Sequence, residues 1–311
     1  MTEGSDYIDT ASFFTRSSLR GTMGAVSIND SEVDVRRRVE IRPVRVHDAR
    51  RLARKPTIET QGFELARIAG PAQFPGGGEA AEKALGLEAQ HLVRALTGCR
   101  DTKVIHRQHR SGYPGNSQAP PVAAGKKPPG EAPPVYAMEM HADISPWAER
   151  QSDWEGLSEG RHCAVFTVWR SLDFDREVLR APLALCDVRT VMAEDMVALC
   201  MLGIGDDAMV TYGLAHSLFH RWCYYPRIAP HEAVVFKLYD TREERPERRQ
   251  VFHGAVHDPS TPPDAPLRKS LDIRVLALFD SETEIEVRRD RFIAQLPPIP
   301  DALEQHFRRM S

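Results

Sequence analysis

From residue 135 onward the chain is a series of short β-prone runs broken by turn residues, and this limits the folds open to it. The runs are Val135–His141, His162–Arg170, Leu183–Asp187, Met209–His216, Trp222–Pro226, Ala233–Tyr239 and Leu271–Phe279. Many short strands with few strong helices point to a sandwich or barrel. Upstream, residues 41–47 (IRPVRVH) and 61–65 (QGFEL) read as two more extended pieces. One segment departs from this texture. Residues 79–97 carry Ala80, Ala84, Leu87, Leu92 and Leu96 at helical spacing, with Gly98 after them, which predicts a helix and its stop. Ala193–Leu202 reads as a further helix crossing one face. The expected class is therefore mainly β with flanking helices.

Residues 1–40 are polar and mixed in charge, and are expected to form an N-terminal arm, loose or ordered on contact. Residues 41–311 are expected to form a single domain. Within it, residues 107–135 hold seven prolines (114, 120, 121, 128, 129, 133, 134), which predicts a Pro-rich loop insertion that lies on the surface or serves as a lid. There is no internal repeat. The GIGDD at 203–207 lacks the spacing and strand–helix setting of a phosphate loop.

Charge excludes one class of partner. With 41 basic and 44 acidic side chains and a net charge of -3, the chain lacks the basic excess that a nucleic-acid surface needs. No apolar run approaches the roughly 18 residues of a membrane span. The opening MTEGSDYIDTASFFTRSS is acidic and lacks an apolar stretch, which argues against a secretory signal. A soluble, cytoplasmic protein is the expectation. The five cysteines (Cys99, Cys163, Cys186, Cys200, Cys223) are odd in number, scattered and without a CxxC, so they are expected to be reduced and mostly buried.

The strongest chemical signal is His141-Ala142-Asp143. On a strand, residues i and i+2 point to the same side, so this triplet presents an imidazole and a carboxylate together. That is two thirds of a 2-His-1-carboxylate metal face, which leaves positions open on iron. Downstream, an apolar strand (His231-Glu232-Ala-Val-Val-Phe236) precedes His253, and Arg268-Lys-Ser270 follows. This order is similar to that of 2-oxoglutarate oxygenases with a double-stranded β-helix fold. There a late histidine completes the iron site and an arginine grips the far carboxylate of 2-oxoglutarate. A guanidinium suits that task because its planar fork matches a carboxylate. Ser270 would face the same way and add a hydroxyl.

The sequence also resembles the gibberellin-desaturase-like, cephamycin-7α-hydroxylase-like group of secondary-metabolism proteins. The resemblance rests on VWRSL (168–172), PLALCDVRTV (182–191), HRWCYYPRIAPHEAVVFKLYD (220–240) and DPSTPPDAPLRKSLDIR (258–274), and more weakly on VRVHDAR (44–50), TQGFEL (60–65) and TGCRDTKVIHRQHRS (97–111). It covers about residues 41–280. It implies a jelly-roll (cupin-like) core, an oxygenase domain over 41–311, Fe(II), 2-oxoglutarate and O2, and hydroxylation, desaturation or cyclisation of a small metabolite. Jelly-roll enzymes of this size commonly pair, so a homodimer is one expectation.

The third ligand stays open at this point: His253 has the better position, and His220, in a more distinctive motif, is its rival, with His216 and His257 behind. Arg170 is a candidate for holding a carboxylate of 2-oxoglutarate or for a structural ion pair. Trp169, His220, Trp222, Tyr224 and Tyr225 are candidates for the substrate pocket or for packing. Arg274, six residues beyond Arg268, competes for the cosubstrate role or makes an ion pair. The chain departs from the family pattern at Ala142, Thr167, Ser171, Phe252, Gly254, Val256 and Lys269, none of which is a candidate ligand. Three other readings are an Fe(II) β-barrel dioxygenase or isomerase without 2-oxoglutarate, a non-catalytic partner subunit, and a zinc hydrolase. The last lacks an HExxH.

Overall fold

The computed structural model describes residues 6–27, 32–68, 78–111, 136–145, 158, 161–204 and 207–280. In chain order its elements are β1 (Tyr7–Thr15), β2 (Met23–Ser27), α1 (Glu32–Arg38), β3 (Val39–Asp48), β4 (Phe63–Arg67), α2 (Gly78–Thr97), β5 (Asp101–Ser111), β6 (His141–Ala142), β7 (Cys163–Ser171), β8 (Leu183–Cys186), β9 (Met196–Ile204), β10 (Asp207–Leu214), β11 (Trp222–Tyr224), β12 (Glu232–Asp240), β13 (His253–Ala255) and β14 (Lys269–Leu278). The fold is mainly β, as the sequence predicts.

The strands form two sheets, ordered β1-β3-β11-β8-β13-β6-β10-β9-β2 and β4-β12-β7-β14-β5. Pairing is antiparallel except for β11 with β3 and β2 with β9. The larger sheet curls back on itself: Phe13 and Thr15 of β1 bridge Glu139 and Ala215. Its enclosed face packs Phe14, Val46, Met140, Tyr212, Trp222 and Phe252 into one core. Its opposite face meets the smaller sheet, where Leu183 and Leu185 pack with Val165, Trp169 and Phe236. Strands β7 and β12 are buried along their whole length, because α2 covers the far side of the smaller sheet. This explains runs such as Ala233–Phe236 that are apolar without alternation.

Helix α2 lies where the sequence predicts it, and it ends at Gly98, whose φ of 67° and N–H to Arg94 carbonyl bond of 2.9 Å form a left-handed cap. The buried stripe, however, is Leu85, Ala89 and Val93, while Leu87 is 49% exposed. Of the predicted stripe, Leu92 and Leu96 pack partly buried on this same core, beside Leu271, Ile273 and Val275 of β14.

Two expectations need correction, at Ala193–Leu202 and at the start of the Pro-rich segment. Ala193–Leu202 is not a helix: Ala193–Asp195 forms one 3-10 turn, and Met196 onward is strand β9. The apolar residues there alternate between two cores rather than following a helical stripe. The arm of residues 1–40 contributes β1 and β2, and β1 pairs with β3 over nine residues in register. The Pro-rich segment begins later than residue 107, because β5 runs to Ser111; residues 112–135 lie outside the described residues. All five cysteines are free and buried. Among the described residues no helix is long and apolar enough to cross a membrane.

Candidate metal centre

His141 and His253 are brought together by strand pairing. They sit on β6 and β13 as direct antiparallel partners, with ring centroids 4.5 Å apart. Both rings point toward the smaller sheet, the face shared with Leu185, while Met140, Ala142 and Phe252 point the other way. Asp143 follows β6 immediately, and its Oδ1 lies 3.3 Å from His141 Nε2. Its Oδ2 lies 3.9 Å from His253 Nε2. One ligand atom from each of the three falls within 4.8 Å of the others.

The backbone sets the ring tautomers. His141 Nδ1 donates to the Glu139 carbonyl at 2.7 Å, and His253 Nδ1 donates to the Val251 carbonyl at 3.0 Å. A carbonyl can only accept, so each Nδ1 carries the proton and each Nε2 faces the shared space. Two imidazole nitrogens and one carboxylate on a single side suit a first-row divalent ion and leave coordination positions open.

The charges agree with this arrangement. Burial alone would raise the Asp143 carboxyl, but the Arg274 guanidinium and the two imidazoles hold it well below the usual carboxylate range. Burial pulls the His141 imidazole down, but the Asp143 hydrogen bond and charge carry it above its ordinary value. Burial, reinforced by His141, pushes His253 down to about 3, so its Nε2 lone pair is free.

Beside the triad lies a partly open pocket, walled by Trp169, Leu183 and Phe236 and lined also by Thr167, Asp272 and Arg268. Arg268 is 5% exposed. It donates to the Ala181 carbonyl and lies between two rings, 4.2 Å from the Tyr136 centroid and 5.3 Å from that of Trp169. No carboxylate pairs with it among the described residues, and its Nε and the Ser270 Oγ are buried without a hydrogen-bond partner there. Burial lowers its pKa to about 10. A buried cation that lacks a protein carboxylate fits an acidic ligand.

The other sequence candidates fall elsewhere. His220 is not at the triad: its Nε2 donates to Asp195 Oδ2 at 3.0 Å, and Asp195 also binds Arg20. The β11 register turns Trp222 and Tyr224 into the enclosed core of the larger sheet, so neither lines the cavity. Tyr225 packs against Phe63. Arg170 alternates with Trp169 and so points to the α2 side, where it is ion-paired with Glu88. Ser270 shares the strand face of Arg268 and is fully buried, but it is not part of the cavity wall. His216 packs edge-on against Phe14, and His257 is exposed. Sequence reading missed Phe236 and Thr167 as cavity residues; the predicted strand pattern was a usable signal for both, since each alternates onto the inner face.

A family model described as oxidoreductase/YMDC permease-like domain matches residues 20–278, most of the chain. The chain belongs to that family. Among this family member's relatives is "Hydroxylase/desaturase efuI" of Hormonema carpetanum, 28% identical over 163 residues, covering 47% of this chain and 53% of the relative. Another is "Fe(II)/2-oxoglutarate-dependent dioxygenase nvfI" of Aspergillus novofumigatus, 36% identical over 148 residues, covering 45% and 51%. The matched part thus spans about half the length of these relatives. Among solved structures, the "iron and alpha-ketoglutarate-dependent endoperoxidase NvfI" aligns with a TM-score of 0.67 over 89% of this chain and 99% of that one, at 21% identity. That likeness shows a shared fold, the jelly-roll core expected from the sequence resemblance.

Proposed function

We propose that this family member is a non-haem Fe(II)/2-oxoglutarate-dependent oxygenase that hydroxylates, desaturates or cyclises a small secondary metabolite. The observation that carries the reading is the triad of His141, Asp143 and His253 lining the same pocket as the buried Arg268. The names of the relatives, hydroxylase/desaturase and Fe(II)/2-oxoglutarate-dependent dioxygenase, support it. So does the inclusion of β1 in the same sheet as the triad strands, which favours one oxygenase domain over the described residues.

Bound iron with 2-oxoglutarate and O2 supplies oxidation of an unactivated C–H bond. The chain's residues do the rest. His141 and His253 present Nε2 because their Nδ1 protons are held by carbonyls. Asp143 stays ionised and adds an anionic ligand oxygen. Arg268 is held by its aromatic neighbours and a carbonyl, ready to take the far carboxylate of the cosubstrate in a two-pronged grip. Trp169, Leu183 and Phe236 give apolar walls that exclude water and seat an organic substrate. The full 2-His-1-carboxylate set argues against a non-catalytic partner subunit, and the carboxylate-free Arg268 against a centre that ignores 2-oxoglutarate.

The test is metal content and succinate release. Purified chain reconstituted with Fe(II) is expected to hold one iron per chain and to release succinate from 2-oxoglutarate in air. The Asp143→Ala variant is expected to do neither. Succinate release by Asp143→Ala at the wild-type rate would refute the assignment.

A further inference from the structure

Asp143 is the least supported member of the triad by backbone. It follows β6, which is two residues long, and it lies outside any ladder, whereas His141 and His253 are strand residues. Its orientation therefore depends on side-chain partners. Among the described residues these are His141 and, more distantly, His253, each through Nε2, and Arg274, whose Nη2 meets Asp143 Oδ2 at 2.9 Å. Both Nε2 atoms are the ones that a metal would take, so Arg274 is the partner left to hold the carboxylate in a loaded centre.

Arg274 is well placed for this. It lies mid-strand on β14 and is paired on both sides, with Thr167 of β7 and His106 of β5, so its backbone is fixed. From the smaller sheet its side chain crosses to the larger one. The nearby carboxylate on its own strand face, Asp272, is occupied by Arg110 at 2.8 Å. Arg274 Nε has no hydrogen-bond partner among the described residues, so the guanidinium grips a single oxygen with a single prong.

We infer that Arg274 is a positioning residue for Asp143, clamping one carboxylate oxygen so that Asp143 serves as a one-oxygen ligand and the open face of the centre is kept. The inference rests on the metal reading above. It differs from a cosubstrate role for Arg274, in which the guanidinium would bind 2-oxoglutarate rather than orient Asp143.

The test uses the full chain, stripped of metal, and cobalt(II) as the probe, since its visible spectrum reports coordination. Wild type, Arg274→Gln and Arg274→Lys are titrated, with thermal unfolding and circular dichroism alongside. Loss of a group that orients a ligand typically weakens metal binding about 10- to 100-fold. Arg274→Gln is expected to show that loss with a changed cobalt spectrum, and Arg274→Lys to fall between it and wild type. If Arg274→Gln does not fold, Arg274→Lys decides alone: intermediate affinity and an altered spectrum support the inference. Wild-type affinity and spectrum in the variants overturn it. A variant with unchanged cobalt binding but a raised 2-oxoglutarate requirement also overturns it and makes Arg274 the cosubstrate anchor. Absence of cobalt binding by the wild type overturns the metal reading itself and this inference with it.

Discussion

His141 and His253 lie 112 positions apart in the sequence and yet face each other as direct cross-strand partners on β6 and β13. That pairing, with Asp143 two residues beyond His141, makes the donor face. Each ring is locked by a carbonyl two residues upstream of it, at Glu139 and Val251. The two imidazoles are thus oriented by the backbone of the strands that carry them.

Removing a ligand should separate the two histidines that the sequence alone left in competition. His253→Ala is expected to lose Fe(II) binding and His220→Ala to keep it. Metal analysis of the two purified variants checks this, and the reverse pattern would move the ligand role to His220.

Arg268 should govern cosubstrate affinity. Truncating one partner of a buried charge pair typically costs about 2–5 kcal/mol. At roughly 1.4 kcal/mol per tenfold, the 2-oxoglutarate KM of Arg268→Ala is expected to rise by about 30-fold or more. Arg268→Lys should be intermediate, since it keeps charge but loses the fork. Fe(II) binding should be unchanged in both. Equal KM values for wild type and Arg268→Ala would exclude the anchor role.

His220 has a structural task. Its Nε2–H satisfies the buried Asp195, which also meets the more exposed Arg20, so His220→Ala should destabilise the fold by about 1–3 kcal/mol. Burial lowers the His220 pKa, with Asp195 only partly offsetting it. A depressed folded value means that the neutral ring's contribution is present above the unfolded value, about 6.5, and is lost as pH falls below it. Urea unfolding should therefore show the gap between wild type and variant narrowing on acidification. A gap that widens would contradict the buried neutral assignment.

Gly62 links stability to the centre. Its φ is 88°, and a Cβ there would stand 2.5 Å from Val251 Cγ2, on the residue whose carbonyl orients His253. Gly62→Ala is expected to cost about 1–3 kcal/mol from crowding alone, more with the left-handed strain, and to weaken metal binding as Val251 shifts. Unchanged melting temperature and metal affinity would show that the loop relaxes freely.

The sequence already carried the strand pattern, the H-x-D pair and the order His253 then Arg268, because these depend on local alternation and spacing. It could not carry the side of each strand that meets the site. Arg170 and Trp169 are neighbours in sequence, yet one pairs with Glu88 behind the sheet and the other lines the cavity. Trp222 and Tyr224 looked like pocket aromatics, but the curling of the larger sheet gives it a second core, and they fill that core instead. Likewise β1, polar at its start, was legible as a strand only through its pairing with β3. Contacts of that kind are long-range, and no local period encodes them.

The most direct measurement is an anaerobic titration of Fe(II)-loaded chain with 2-oxoglutarate, watched for the weak visible band given by a keto acid chelated to ferrous iron. The wild type is expected to develop the band and saturate, His253→Ala to show none, and Arg268→Ala to need about 30-fold more 2-oxoglutarate. Iron-loaded wild type that develops no band at saturating 2-oxoglutarate, and releases no succinate once air is admitted, would contradict the account.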